Sequence, residues 1–309
     1  RQRSRRARED GPPFELKIED IGSPPPVAAA IQRIRDEMNE AFVGLDDVKK
    51  EITRIGNSLR VQAVLGDGTP RPPRLVFFGN PGTGKTTFAR YLHQILFTLG
   101  IVPRDLFLET RGLELKASYV GQTQEKVLET FASARGGTLF IDEVYALSPP
   151  GGKGDIFGQE AIDAIVGQSE LAVNSNTCII LAGYLDETLN FLEANPGLSR
   201  RFAGQVRFPD YSTNECVEIL RRRLAALPPF VGVDVLEECY KDVEAAIENR
   251  KAAKSNHFGN AGDMGNLAGR IQVLRDERLV EEFPDDPEAW KLNAAFRPED
   301  VIQALEEWL

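Results

Sequence analysis

The chain has 309 residues, 42% of them hydrophobic and 27% charged, with a net charge of −10. That length accommodates two compact units with their own cores, and no apolar run approaches the about 18 residues of a membrane-spanning helix. The acidic balance opposes a broad phosphate-backbone footprint, so nucleic acid is a poor first choice of partner.

The first residues, Arg1-Gln2-Arg3-Ser4-Arg5-Arg6-Ala7-Arg8, are followed by Gly11-Pro12-Pro13 and Pro24-Pro25-Pro26. Residues 1–26 read as a basic, proline-rich tail: a solvated linker, or an anion-binding or targeting arm. A start at Arg1 rather than Met is expected of a processed or excised chain. No secretory signal pattern is visible, so a soluble intracellular protein is expected, in the cytoplasm before the nucleus or an organelle. The spacing of Ile31, Ile34 and Met38 predicts a helix over 27–41, and Asp46 and Asp47 mark the first turn of another. Strands are expected at 74–79, 105–109, 137–142, 177–182 and 205–208, with helices at 85–97, 122–134 and 158–172. That alternation predicts an α/β fold with a parallel, doubly wound sheet, whose ligands bind beyond the carboxyl ends of the strands. From Ser212 the pattern is helical alone, at 213–226, 234–250, 263–282 and 298–308. Asp263 is the expected N-cap of the third of these helices, Pro298 fits the first turn of the fourth, and 283–287 reads as a loop. The expected units are therefore an α/β body over 27–211 and a helical subdomain over 212–309.

Between the first strand and its helix lies Gly79-Asn80-Pro81-Gly82-Thr83-Gly84-Lys85-Thr86, a complete G-x-x-x-x-G-K-[ST] phosphate loop. Its glycines let successive N–H groups point into one hollow, to which the helix N-terminus adds its positive dipole end. Lys85 is placed to reach the β- and γ-phosphates and the Thr86 hydroxyl to ligate Mg²⁺, with Thr87 next in the same turn. A second motif, Gly137-Thr138-Leu139-Phe140-Ile141-Asp142-Glu143, is a buried strand ending in two acids. Asp142 is expected to hold Mg²⁺ through its water shell, and Glu143 to orient and polarise the attacking water. Together the two motifs predict hydrolysis of a nucleoside triphosphate with Mg²⁺. Cys178, Cys216 and Cys239 form no C-x-x-C pair and are odd in number, which argues against a disulfide framework or zinc site and leaves them as packing residues. His93 and His257 are read as helix and loop residues, not ligands.

Four further stretches narrow the reading: Gly158-Gln159-Glu160-Ala161-Ile162, Ile179-Ile180-Leu181-Ala182-Gly183-Tyr184, Asn195-Pro196-Gly197-Leu198-Ser199-Arg200-Arg201-Phe202 and Phe208-Pro209-Asp210-Tyr211. With the phosphate loop they resemble the AAA+ ATPases, and within them the CbbX, stage V sporulation protein K and EccA group, over roughly residues 40–280. The resemblance implies a five-stranded sheet of order 5-1-4-3-2 with a helical lid. It also implies a ring, usually a hexamer, with ATP at each subunit junction and a protein client as substrate. It makes Arg201 the arginine finger offered across the junction to the γ-phosphate, with Arg200 its rival. Tyr184 takes the first sensor position, its hydroxyl directed at the lytic water or γ-phosphate. Tyr119-Val120-Gly121 matches an aromatic pore loop, able to grip polypeptide by apolar contact without reading its sequence. Gly151-Gly152-Lys153-Gly154-Asp155 is flexible and polar enough for a second pore loop. Phe42, Val43, Gly44 and Leu45 fall beside the adenine.

One stretch departs from the group. Where its members commonly carry two arginines at the start of the third lid helix, this chain reads Asn260-Ala261-Gly262-Asp263-Met264-Gly265-Asn266, with Gly262 and Gly265 at those positions. This resembles AAA proteins that work without a lid arginine. The reading is an ATP-hydrolysing, protein-remodelling motor; its rival is a nucleotide-dependent assembly scaffold that threads nothing. A nucleic-acid motor rests on the arginine tail alone. The group includes a Rubisco activase, yet no residue here identifies Rubisco as the client.

Overall fold

The computed structural model describes residues 26–66, 70–117, 122–148, 155–228, 235–253 and 258–308. Five parallel strands form its centre: β1 Arg74–Phe78, β2 Phe107–Arg111, β3 Thr138–Asp142, β4 Cys178–Gly183 and β5 Gly204–Arg207, in the order β2-β3-β4-β1-β5. This is the expected order read from the other edge. β1, β3 and β4 are buried along nearly their whole length because helices cover both faces, which is why they read as continuous apolar runs. Alternate side chains divide between two cores. Leu75, Phe77, Phe140 and Ile180 face one of them, with Phe88, Leu92 and Leu96 of α3 Lys85–Thr98. Val76, Phe78, Ile141 and Leu181 face the other, with Phe131 of α4 Gln122–Ala134 and Ile165 of α5 Ile156–Glu170.

β2 lies two residues later than expected. It is an edge strand with no fully buried residue, so its limits are set by pairing, from Phe107 opposite Thr138 to Arg111 opposite Asp142, and not by a local apolar pattern. Because β4 lies between β1 and β3, the chain leaves these neighbouring strands at Gly79, Glu143 and Tyr184 on one edge of the sheet.

Two helices precede the sheet, α1 Pro26–Ala41 and α2 Asp46–Leu65, and α6 Leu185–Ala194 and α7 Pro196–Arg201 lie between β4 and β5. After β5 come α8 Thr213–Ala225, α9 Val235–Glu238, α10 Tyr240–Ala253, α11 Asn260–Glu282, α12 Pro287–Leu292 and α13 Pro298–Trp308. α8 starts at a capping box, Ser212 with Glu215. The helix expected over 234–250 bends at Cys239 into α9 and α10, the bonds Cys239 N to Val235 O and Val243 N to Cys239 O carrying the chain through the bend. α11 starts three residues earlier than expected. Asp263 is not its N-cap; it sits inside the first turn, where its carboxylate accepts from Gly259 N at 3.1 Å. α12 was unexpected, although Asp286 caps it by accepting from Ala289 N at 3.0 Å, with Pro287 in the first turn. No helix among the described residues is long and apolar enough to cross a membrane.

α11 and α13 are joined by a two-pronged ion pair. Arg278 Nε and Nη2 donate to Asp300 Oδ1 and Oδ2 at 2.9 and 3.0 Å, and Asp300, only 3% exposed, also accepts from Arg297 N at 2.8 Å. Removing one member of a buried pair strands the other's charge. Asp300→Ala is therefore expected to lower stability by about 3 kcal/mol or more in urea unfolding. A loss under about 1 kcal/mol would mean that Arg278 is satisfied elsewhere.

Candidate nucleotide site

The phosphate loop is shaped by contacts behind it. Gly79 N donates to Gly183 O at 3.1 Å, which ties the loop to the end of β4. Thr83, fully buried, donates to Asn80 O at 2.8 Å, and Asn80 Nδ2 donates to both carboxylate oxygens of Asp210 at 3.0 and 2.9 Å. Gly82 and Gly84 take positive φ of 68° and 96°. A side chain at Gly82 would overlap Gly259 O, and a Cβ at Gly84 would lie 2.7 Å from Phe42 Cε1, so both positions require glycine. Lys85 is 8% exposed, and its Nζ donates to Gly79 O at 2.7 Å and Asn80 O at 2.9 Å. Burial lowers its pKa, while Asp142, Glu143 and Asp210 oppose that shift. The loop carbonyls orient the ammonium for contact with phosphate oxygens.

Asp142 closes β3, and its Oδ1 accepts from Glu143 N at 2.9 Å. Glu143 adopts φ 50°, a left-handed conformation that costs a non-glycine residue on the order of 1 kcal/mol. A Cβ at Gly112 would come within 2.7 Å of Glu143 O, so the exit of β2 packs closely on this turn. The reversal brings Asp142 and Glu143 together at the cavity. Tyr184 follows β4 and stacks on Tyr145, ring centroids 5.1 Å apart at 24°. Burial, then Tyr184, pushes the Tyr145 phenol up from its usual pKa.

These groups converge on a cavity of about 710 Å³, within the size range of small-molecule sites. The sheet side supplies Pro81, Gly82, Gly84, Lys85, Thr86, Thr87, Asp142, Glu143 and Tyr184. Facing them are Phe42 and Val43, then Ile219, Arg222 and Arg223 of α8, and Ala261 and Gly262 of α11. Gly79, Asn80 and Thr83 support the loop without lining the cavity, and Gly44, at φ 57°, faces Glu215 of α8 instead. Thr86 and Asp142 offer a hydroxyl and a carboxylate to the same space. Such hard oxygen donors suit Mg²⁺, which keeps several waters and takes its remaining ligands from phosphates. Among the described residues no group of three or more His, Cys, Asp or Glu forms a cage for a metal.

The sequence did not single out Arg222 and Arg223. They read as ordinary positive charge in the last turn of a helix, and packing alone sets that turn across from the phosphate loop. Arg222 is engaged there, donating to Glu218 at 2.8 Å and to Glu40 O at 2.7 Å.

Arg201 lies outside the cavity. Its guanidinium pairs with Glu170 of α5 and donates to Gly197 O at 2.6 Å, leaving the side chain 21% exposed. Arg200 is exposed and donates to Pro196 O at 3.3 Å. Tyr119, Val120 and Gly121, residues 151–154 of the other candidate pore loop, His257 and the tail to residue 25 are outside the described residues. His93 is buried, its Nδ1 2.9 Å from Thr138 Oγ1 and its Nε2 3.1 Å from Asp105 Oδ1. All three cysteines are free and buried.

A parallel sheet of this order, with a phosphate loop after β1 and an acid pair after β3, defines a nucleotide-binding ATPase fold. The chain belongs to the AAA family: residues 75–210 match the profile of the ATPase family associated with various cellular activities, and relatives of the CbbX, stage V sporulation protein K and EccA group match beyond that stretch. It is 36% identical to protein CfxQ of Xanthobacter flavus over 251 residues, 79% of this chain and 76% of that one. It is 33% identical over 259 residues to the chloroplastic ribulose bisphosphate carboxylase/oxygenase activase of Cyanidioschyzon merolae, covering 81% and 84%. With stage V sporulation protein K of Bacillus subtilis it shares 37% over 199 residues, covering 63% and 60%. The crystal structure of the FIGL-1 AAA domain in complex with ADP has the same fold, with a TM-score of 0.57 at 18% identity over 86% of this chain and 82% of that one. The chain is thus an ATPase.

Proposed function

We propose that the chain is a motor module that hydrolyses ATP with Mg²⁺ to remodel a protein client, assembled as a ring, hexameric as in its group, with the client held in a central pore. One observation carries this reading. Lys85, Thr86, Asp142, Glu143 and Tyr184 line one cavity, whereas Arg201 pairs with Glu170 outside it, which supports a reading in which a second copy supplies the arginine of the phosphoryl-transfer set. In this reading the loop N–H groups and Lys85 hold the β- and γ-phosphates, and Thr86 and Asp142 hold Mg²⁺, which neutralises the phosphate oxygens. Glu143 orients the water and accepts its proton. Tyr184 donates to that water or to the γ-phosphate. The neighbour's Arg201 meets the charge that develops on transfer. The residues of 27–211 act as the body and those of 212–309 as a lid, since α8 and α11 form the wall facing the phosphate loop. A soluble, intracellular protein fits this role, with no requirement for membrane or nucleic acid.

The test is ATP turnover per subunit against protein concentration, which should rise as rings assemble. A flat dependence, with subunits shown to be monomers throughout, removes the shared site. Tyr119→Ala is expected to leave basal turnover within about twofold of wild type while abolishing work on the client, because a pore residue touches polypeptide and not phosphate. The client itself is sought by capture on the Glu143→Gln protein with ATP bound. If Tyr119→Ala changes no client-dependent effect, the scaffold reading gains.

A further inference from the structure

Asn260 opens α11 at φ 50° and is wholly buried. Asparagine tolerates the left-handed region better than most residues, and burying its amide is favourable only if the amide is hydrogen-bonded. Here it is fully engaged. Its Oδ1 accepts from Tyr211 N at 3.0 Å, and its Nδ2 lies within donor range of Pro81 O at 3.1 Å, Asp210 Oδ1 at 2.8 Å and Phe258 O at 3.0 Å. The carboxylate of Asp210 therefore joins two asparagines, Asn260 of the lid helix and Asn80 of the phosphate loop. Beside this bridge Ala261 N donates to Gly82 O at 3.2 Å, and Gly82, having no side chain, lets Gly259 O approach its backbone. The first turn of α11 is thus bound to Pro81, Gly82 and, through Asp210, Asn80.

We propose that Asn260 is a positioning residue that couples the lid helix to the phosphate loop, a neutral latch at the place where Gly262 and Gly265 supply no cation. The proposal rests on the assignment of residues 79–86 as the phosphate loop. A lid arginine would sense the γ-phosphate by charge. A latch on Pro81 O and on the Asn80 partner Asp210 senses the shape of the loop, which any ligand with a β-phosphate sets when the loop N–H groups close on it. ATP and ADP should then act alike on α11, and AMP should not act.

Hydrogen–deuterium exchange of the N-terminal turns of α11 in the full chain tests this, with ATP, ADP and AMP as probes. In wild type, ADP and ATP should each slow exchange there by about tenfold, and AMP by less than about twofold. Asn260→Gly keeps the left-handed backbone accessible while deleting the latch. It should still bind fluorescent ADP, yet show less than about twofold nucleotide-dependent slowing in α11. A merely structural Asn260 would loosen α11 in every state and preserve the nucleotide-dependent difference, and that result overturns the proposal. Should Asn260→Gly fail to fold, Asp210→Ala removes the arm of the latch that reaches Asn80 and leaves the bond from Asn260 to Pro81 O. Nucleotide-dependent slowing in α11 should then fall below that of wild type, and slowing equal to wild type overturns the coupling through Asp210. If wild type binds neither ATP nor ADP, the phosphate-loop assignment fails; if it binds both and α11 does not respond, the latch fails.

Discussion

Glu143→Gln is expected to bind ATP as wild type does and to lower kcat by about 10²–10⁴-fold, the usual contribution of a positioned general base. Glutamine has nearly the shape of glutamate and meets the same φ of 50°, so the turn after β3 and the bond from its N–H to Asp142 Oδ1 should persist. What disappears is the ability to take a proton from water. Lys85→Ala should fail by the other route, through weaker binding. It removes the ammonium proposed to reach the phosphates, and it leaves Gly79 O without that partner in a buried part of the loop, while Asn80 O keeps its bond from Thr83. Binding of a fluorescent ATP analogue in Mg²⁺, read beside steady-state turnover, separates the two. If Glu143→Gln turns over within about tenfold of wild type, water activation belongs to another group at the cavity.

The parts of this site that the sequence announced are those whose chemistry is written locally. A phosphate loop needs its glycines and lysine at fixed spacing, and buried central strands such as Leu139-Phe140-Ile141 carry their apolar run wherever they lie in the sheet. Edge strand β2 was displaced because half-exposed residues carry little pattern of their own. The wall of α8 and α11 was hidden for a stronger reason: Arg222 becomes part of the cavity only when its helix is packed against Glu40 at the end of α1, 182 residues earlier. Asn260 sits in a stretch notable in sequence for the arginines it lacks. Its hydrogen bonds to Pro81 and to Asp210 exist only in the fold, so no spacing rule could have revealed them.

Arg201→Ala is expected to reduce ATP hydrolysis by about 10³-fold or more, the range measured for arginine fingers, and to regain activity when mixed with the equally inactive Lys85→Ala protein. α7 makes the argument specific. Pro196 starts this six-residue helix, and Leu198 and the following Phe202 are wholly buried, so the helix is anchored and its arginines are held at the surface. Within its own subunit Arg201 is balanced by Glu170 and Gly197 O, and its buried Nε has no hydrogen-bond partner among the described residues. A guanidinium with donors to spare can exchange this partly exposed pairing for the more concentrated charge of a γ-phosphate. In a random one-to-one mixture, about a quarter of the junctions in a ring pair an intact Lys85 with a neighbour's intact Arg201. Recovery should therefore approach about a quarter of wild-type turnover, provided each junction works alone. Rings that form by light scattering but recover nothing would remove Arg201 from the shared site. Arg200→Ala in the same mixture then decides whether its exposed neighbour holds the role, or whether each subunit completes its own chemistry.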